Sequence, residues 1–357
     1  MDFFKSCLQH VISVALKESH NIDIKAFKLF KRVCIWDSSG WQLRNGLKKE
    51  FPGCGGSATK AGCKLQYCYD FKSNSIVHFE LTNGITPDQG YGKQQLAKEV
   101  EEGDLFLFDL GFFSLITFKE IDTRGGYYLS RLDPTVRLYS EGARFELLAF
   151  LKKNKEESCQ EVTLEVGDCK IKSRLIAVKL PEEERKRRIR KMKKKAKERG
   201  TIVSQQRIQL AGWNLFMTNA SKKKLSLELV YSFYKLRWSI EILFKQLKSQ
   251  LNIDVSNHSN ANRLKCEVYS TLIVSALINC AYNLLQRELW QKEKAECSLE
   301  KTFKFFANKA HLLLDITNGT ITDITSTLSR LLQMAMRSCR QDLQPSRKSS
   351  LQAIYDI

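Results

Sequence analysis

The stretch DLFLFDLGFFS, residues 104–114, sets a carboxylate, Asp109, at the end of a run that is otherwise apolar and reads as a buried strand. Desolvating a carboxylate in such a run costs several kcal/mol unless a charge or a metal compensates, so Asp109 needs a reason to be there. A helix N-cap or turn is one reason, because Asp before Gly and Ser suits that role. A cation site is the other. The same pattern occurs upstream, where KRVCIWDSS reads as a short strand whose C-terminal end carries Asp37. For either Asp taken alone, both readings stand.

The rest of the chain mixes such runs with helical ones. MDFFKSCLQHVISVALKES has the helical spacing of Phe, Leu, Val and Ile, KLQYCYD and SIVHFELTNG around FKSNS predict a hairpin, and DQGYGKQQLAKEVEE predicts a helix. From Gly126 the chain is β-rich through YYLSRLD, VRLYS and SRLIAVKL, and it then breaks into PEEERKRRIRKMKKKAKERG, either a solvated helix or a disordered loop. IQLAGWNLFMTNAS predicts one more buried strand, and LSLELVYSFYKLRWSIEILFKQLKSQL a single long amphipathic helix. Helical segments follow at roughly 263–293, 299–316 and 323–340, with a loosely ordered tail, QPSRKSSLQAIYDI.

Composition sets the class. A chain of 357 residues with 43% hydrophobic content buries a sizeable core. Lys and Arg outnumber Asp and Glu by 58 to 39, and the resulting charge of +19 points to a polyanion, nucleic acid before an acidic membrane surface. The N-terminus lacks the design of a cleaved leader, and TLIVSALINCAYNLL reads as too short and too polar for a span, so the expectation is a cytoplasmic protein with no membrane partner. The eleven cysteines lie singly with no CxxC, which favours buried free thiols over zinc or disulfides. GCGGSATKAG lacks a following Gly-Lys-Ser/Thr, so a tight turn fits it better than a nucleotide loop.

YKLRWSIEILFKQLK places Tyr234, Arg237, Glu241 and Lys248 within an apolar helical pattern. At about 100° per residue they fall within a stripe roughly 60° wide, apart from the apolar stripe of Leu236, Ile240, Leu243, Phe244 and Leu247. An i,i+4 Arg and Glu pair with incidental neighbours is the plain reading. Two strand-end aspartates upstream and one helix glutamate are, however, what a two-metal phosphoryl-transfer site requires: hard oxygen ligands from different elements.

The chain here resembles the DDE transposases of bacterial insertion sequences, in particular the insertion sequence 4 family. The signature of that family is Tyr, two residues, Arg, three residues, Glu, six residues, Lys, complete at Tyr234, Arg237, Glu241 and Lys248. VCIWDSS with the following GCGGSATKAGCKLQ, and DLFLFDLGFFS, are similar to the regions around the family's two aspartates, especially in the insertion sequence 231 subgroup. The resemblance covers roughly residues 30–254. It implies an α/β fold with a ribonuclease H-like catalytic core, a mixed sheet flanked by helices, plus a β-rich insertion and a helical C-terminal region. The expected division is 1–29 as a helical remnant of an N-terminal region, 30–135 and 211–320 as the two parts of the core, 136–210 as the insertion with the basic run, and 321–357 as the last helix and tail.

By resemblance, Asp37, Asp109 and Glu241 are the metal-binding catalytic triad for two ions, Mg²⁺ or Mn²⁺, with Asp37 bridging both. Water then cuts one strand at the element's end, and the freed 3′-OH serves as nucleophile for strand transfer. Tyr234, Arg237 and Lys248 contact DNA phosphates. Trp213 stands where family members stack a flipped base, although an indole beside Leu215 and Phe216 also reads as core. Within the basic run from Arg185 to Arg199, Arg187, Arg188, Lys191 and Lys194 are candidates to grip phosphates, against the plain reading of a solvated face.

The implied partners are double-stranded DNA, as terminal repeats and target, and a second copy of the chain in a homodimer. Because 36 residues precede Asp37, where the family normally places a helical end-recognition region, that region is expected to be shortened, missing or supplied by an upstream reading-frame product. Two alternatives to a transposase remain open: a ribonuclease H-like nuclease without strand transfer, and a catalytically silent DNA-binding remnant. A covalent-tyrosine recombinase leaves the three separated carboxylates unexplained.

Overall fold

Alternating and continuous apolar runs fold as strands, and runs with apolar residues every three or four positions fold as helices. The computed structural model of the protein describes residues 2–18, 25–55, 60–153 and 157–342. The tail at 344–357 and residues 56–59 of the Gly-rich turn lie outside the described residues. In chain order the helices are α1 (Asp2–Glu18), α2 (Asp88–Glu99), α3 (Leu115–Thr123), α4 (Leu147–Lys153), α5 (Glu182–Glu198), α6 (Gln205–Leu210), α7 (Leu227–Leu236), α8 (Trp238–Ser249), α9 (Ala261–Glu293), α10 (Leu299–Thr317) and α11 (Ile324–Ser338). The strands are β1 (Val33–Leu43), β2 (Ala61–Asp70), β3 (Ser75–Asn83), β4 (Leu105–Phe108), β5 (Tyr127–Arg131), β6 (Leu138–Ser140), β7 (Ala143–Arg144), β8 (Cys159–Val166), β9 (Ile171–Lys179) and β10 (Trp213–Thr218).

The chain divides into two compact units, residues 1–88 with 235–357, and Gln89–Tyr234. In the first, β1, β2 and β3 form an antiparallel meander in which Asp37 lies opposite Tyr67 and Ser38 opposite Gln66. Its hairpin turn is closed by Asp70, whose carboxylate accepts from the Val33, Lys72 and Ser73 amides. Helix α8 lays Ile240, Leu243, Phe244 and Leu247 toward this sheet, with Phe244 edge-on to Tyr67 at 5.9 Å between ring centroids. Helix α9 packs on α1, β3, α10 and α11. It is 33 residues long and holds an 18-residue window of mean hydropathy 1.5, so by length and composition alone it is a candidate membrane span, contrary to the sequence reading. Here it buries Ser275, Asn279 and Gln286 beside Leu272, Ala276 and Leu285, as a helix packed within a protein does.

The second unit carries a mixed sheet: β4 runs parallel to β5, and β5, β10, β9, β8, β6 and β7 continue antiparallel in that order. A stack of Phe106, Phe108, Phe118 and Tyr128 fixes β4 against α3 and β5, with Phe118 and Tyr128 centroids 4.6 Å apart. Across β8 and β9, Arg174 pairs through Nε with Glu161 at 2.7 Å and donates through Nη1 to the Ala220 and Leu225 carbonyls, so the charge of a buried guanidinium is compensated although its Nη2 finds no partner among the described residues.

Several sequence expectations change in detail. Strand β1 runs six residues past Asp37, because GWQL continues to pair with β2; Asp37 is therefore inside the strand and not at its end. The predicted single helix is two, α7 and α8, interrupted at Arg237, where Ser239 Oγ donates to the Leu236 carbonyl. Only Trp213–Thr218 of IQLAGWNLFMTNAS is strand; Ile208, Gln209 and Leu210 close α6, and Ala211 and Gly212 turn the chain into the strand. The basic run is a helix, α5, with no buried residue. All eleven cysteines are free, but only Cys34, Cys63, Cys68, Cys297 and Cys339 are buried.

Candidate active site

Strand β1 presents Asp37 between neighbours that hold it from the backbone and from α8. The Ser38 amide donates to Asp37 Oδ1 at 2.8 Å. Arg237, at the α7–α8 junction, reaches Asp37 Oδ2 with Nη1 at 3.6 Å and donates through Nη2 to Glu241 Oε1 at 2.6 Å. One guanidinium thus joins carboxylates that lie 204 positions apart in sequence. Arg237 is 14% exposed, Asp37 18% and Glu241 36%, so the trio sits at the rim of the unit where screening is incomplete. Lys248, two turns further along α8, donates to the Gly40 carbonyl of β1 at 3.0 Å. On the other side of the strand, Ser38 Oγ donates to Asp88, which also accepts from Lys64 at 2.9 Å. These contacts fix β1 at Asp37 from both faces.

The trio carries two negative charges and one positive, and its donors are carboxylate oxygens alone. That donor set fits a hard divalent cation and not a soft one. Among the described residues no group of three or more His, Cys, Asp or Glu side chains is gathered to hold a metal.

Asp109, in the second unit, follows β4 directly. Its Oδ1 accepts from the Gly111 amide at 2.7 Å and the Phe112 amide at 3.3 Å, capping a single 3₁₀ turn at Leu110–Phe112. The capping alternative raised by the sequence is therefore real. It also orients the carboxylate, since both bonds fall on Oδ1 and leave Oδ2 without a hydrogen-bond donor among the described residues. Gly111 permits this approach: a Cβ there would lie 3.1 Å from Oδ1.

Tyr234 lies in the last turn of α7 with its ring 4.9 Å from that of Phe216 on β10. Trp213 opens β10 half-buried and lines a cavity of about 440 Å³ together with Leu148, Leu151 and Leu180, the cations Lys152, Lys179 and Arg185, and Glu182, which pairs with Arg185. The indole is thus neither core nor free, and the space beside it is of mixed lining, apolar on one part and charged on the other. On α5, Arg187 is paired with Glu184 at 2.8 Å, and Arg188 donates to the Trp213 carbonyl and Asn214 Oδ1 at 3.0 and 2.9 Å, docking the helix on β10. Lys191 and Lys194 face solvent. One residue escaped the sequence reading: Trp238, next to Arg237, is 58% exposed, and its place within RWSIE was the available signal.

The sequence matches the family described as "Transposase DDE domain" over residues 28–277, well over half the chain. It is 30% identical to the transposase for insertion sequence element IS231F of Bacillus thuringiensis subsp. israelensis, over 98% of this chain and 77% of the relative. It is 29% identical to that for IS231E of Bacillus thuringiensis subsp. finitimus, with the same coverage. The transposase for insertion sequence element IS1151 of Clostridium perfringens is 29% identical over 77% of this chain and 62% of the relative. The Asp37, Arg237 and Glu241 cluster and the Asp109 turn both fall inside the matched segment, and the chain belongs to the DDE transposases of insertion sequences, IS231-like DNA transposases with a ribonuclease H-like, divalent-metal-dependent catalytic domain.

Proposed function

We propose that Asp37, Asp109 and Glu241 together form the catalytic triad of this transposase. The observation that carries the reading is Arg237, which holds Asp37 of β1 and Glu241 of α8 at one point. Two divalent cations, Mg²⁺ or Mn²⁺, held by these carboxylates would supply Lewis-acid activation of an attacking oxygen and stabilise the leaving one. Arg237 keeps the two carboxylates oriented, and the capped Asp109 turn engages Oδ1 alone, leaving Oδ2 as the oxygen that would serve as a ligand. Water attack cuts one DNA strand at the element's end, and the freed 3′-OH joins that strand to the target.

In this reading Tyr234, Arg237 and Lys248 contact phosphates near the scissile bond, and Trp213 stacks a displaced base, supported by its half-buried indole and the cavity beside it, which Lys152 and Lys179 also line. Arg187, Lys191 and Lys194 of α5 grip the backbone, while Arg188 acts mainly by docking that helix. The protein acts on terminal repeats and target DNA as a homodimer in the cell interior, with end recognition completed by an upstream reading-frame product where needed. A silent DNA-binding protein is the second reading, favoured by the cap that Asp109 makes.

The test is cleavage of labelled duplex DNA bearing the element's ends with Mg²⁺ or Mn²⁺, comparing the natural chain with Asp37→Asn, Asp109→Asn and Glu241→Gln. Cleavage by the natural chain, lost at least 10²-fold in each variant with DNA binding retained, supports the triad. Binding without cleavage by the natural chain supports the silent reading. Nicking without joined products makes the protein a nuclease.

A further inference from the structure

A second charged locus lies on the face of β10 against which Tyr234 of α7 packs. Arg131, the last residue of β5, is the register partner of Phe216 on β10, and its guanidinium sits over that ring, 5.7 Å from the centroid. Stacked in this way it forms no ion pair or side-chain hydrogen bond with the described residues, so its planar fork keeps its donors unused. Arg188 approaches the same face from α5, held by Asn214 Oδ1 at 2.9 Å. Burial, and then the Arg131 charge, hold the Arg188 pKa below the ordinary arginine value, with Glu184 and Tyr231 acting the other way. Glu184 is already engaged by Arg187. The Phe216 ring also meets Tyr234 at 4.9 Å and Tyr231 at 6.4 Å, and Tyr231 is 40% exposed.

Two half-buried guanidinium groups that repel each other, without an acid between them, are costly to keep in a folded protein. An anion would turn that cost into affinity. The surroundings narrow its kind: a planar fork fixed on the Phe216 ring, with the Asn214 amide on the same sheet face and the tyrosines of α7 packed against that ring, matches the oxygens of a phosphodiester. We propose that Arg131, with Arg188 behind it, forms a DNA phosphate site beside Tyr234. The inference rests on Tyr234 as a DNA contact and extends it to a residue outside the family signature.

The test is binding and not cleavage, so it is readable whether or not the triad is correct. The full chain is titrated onto fluorescent duplex DNA in EDTA across 50 to 200 mM salt, as natural protein and as Arg131→Gln and Arg131→Lys, with thermal unfolding measured on each. In Arg131→Gln we expect the slope of log affinity against log salt to fall by about one and affinity to drop several-fold, with Tm unchanged or raised because a repulsion is gone. Arg131→Lys should keep the slope while losing part of the affinity, having charge without the fork. An unchanged slope in Arg131→Gln overturns the proposal. So does a slope lost together with several degrees of Tm, which would make Arg131 a packing residue of Phe216, and so does the absence of salt-dependent binding by the natural chain.

Discussion

Arg237 holds two carboxylates that would otherwise repel, and it is the most enclosed of the three groups. Replacing it by Met leaves Asp37 and Glu241 without their cation. Because Glu241 is over a third exposed, solvent takes up part of the loss, and we expect about 1–2 kcal/mol of destabilisation by urea unfolding without metal. Added Mn²⁺ should recover more stability in Arg237→Met than in the natural chain, since a bound cation stabilises the folded state by mass action. A variant as stable as the parent removes the bridge; equal metal effects remove the cation reading. At Asp109 the corresponding probe is Gly111→Ala. The new Cβ crowds Oδ1, so cleavage is expected to fall at least tenfold while stability changes by about 1 kcal/mol or less, a split that global unfolding cannot produce. Both aspartates were visible in the sequence as carboxylates in apolar runs. That Asp37 stands inside β1 was not, because the continuation GWQL owes its extended form to β2 across the ladder and not to its own pattern.

At the level of elements, α5 shows how charge and docking divide one helix. Its first turn neutralises itself through the Glu182–Arg185, Glu183–Lys186 and Glu184–Arg187 pairs, each at i,i+3. Arg185, Arg188, Ile189, Met192 and Ala196 form the partly covered side, leaving Arg190, Lys191, Lys194 and Lys197 exposed on the other. Changing those four to Gln should reduce the salt slope of duplex binding by about 3–4, near 0.9 per phosphate, and leave stability within about 0.5 kcal/mol. An unaltered slope would mean that this face is only solvated. The composition of α5 made its charge legible and left helix or loop undecided, since no apolar stripe marks it. The break between α7 and α8 was hidden for the opposite reason: the apolar spacing continues through Arg237, and the interruption is a local competition between Ser239 Oγ and the backbone for the Leu236 carbonyl. Strand β8 went unread because its inward residues, Gln160, Leu164 and Val166, include a polar one that the fold buries.

For the whole molecule, the first unit is discontinuous: the chain leaves it after Asp88 and returns at Lys235. Its closure depends on contacts such as Lys248 to Gly40 and Asn283 to Ser73, formed across more than 200 positions. Loop closure over such lengths adds only slowly to the entropic cost, so the core that the two segments share decides stability. That core buries acidic protons. Burial pushes the Cys297 thiol from 9.0 up to about 12, and raises the phenols of Tyr67, Tyr69 and Tyr282 above their ordinary 10.0; in the second unit it does the same to Tyr128. A group with a higher pKa folded than unfolded keeps its proton in the fold and releases it on unfolding. Its stabilising term is complete below pH 9 for the thiol and below 10 for the phenols, and is lost as pH rises toward the folded values, by up to about 1.4 kcal/mol per unit and group. The charge of +19 works against this trend, because lysines lose their protons over the same range and self-repulsion relaxes. We expect the urea midpoint to hold level from pH 7 to about 8.5 and to fall above 9, with Cys297→Val falling less steeply between about 8.5 and 9.5, where the thiols of the unfolded chain titrate ahead of its phenols. A midpoint level through pH 11 would show that relaxing repulsion outweighs the buried protons. A fall identical in Cys297→Val would assign the loss to the other buried groups.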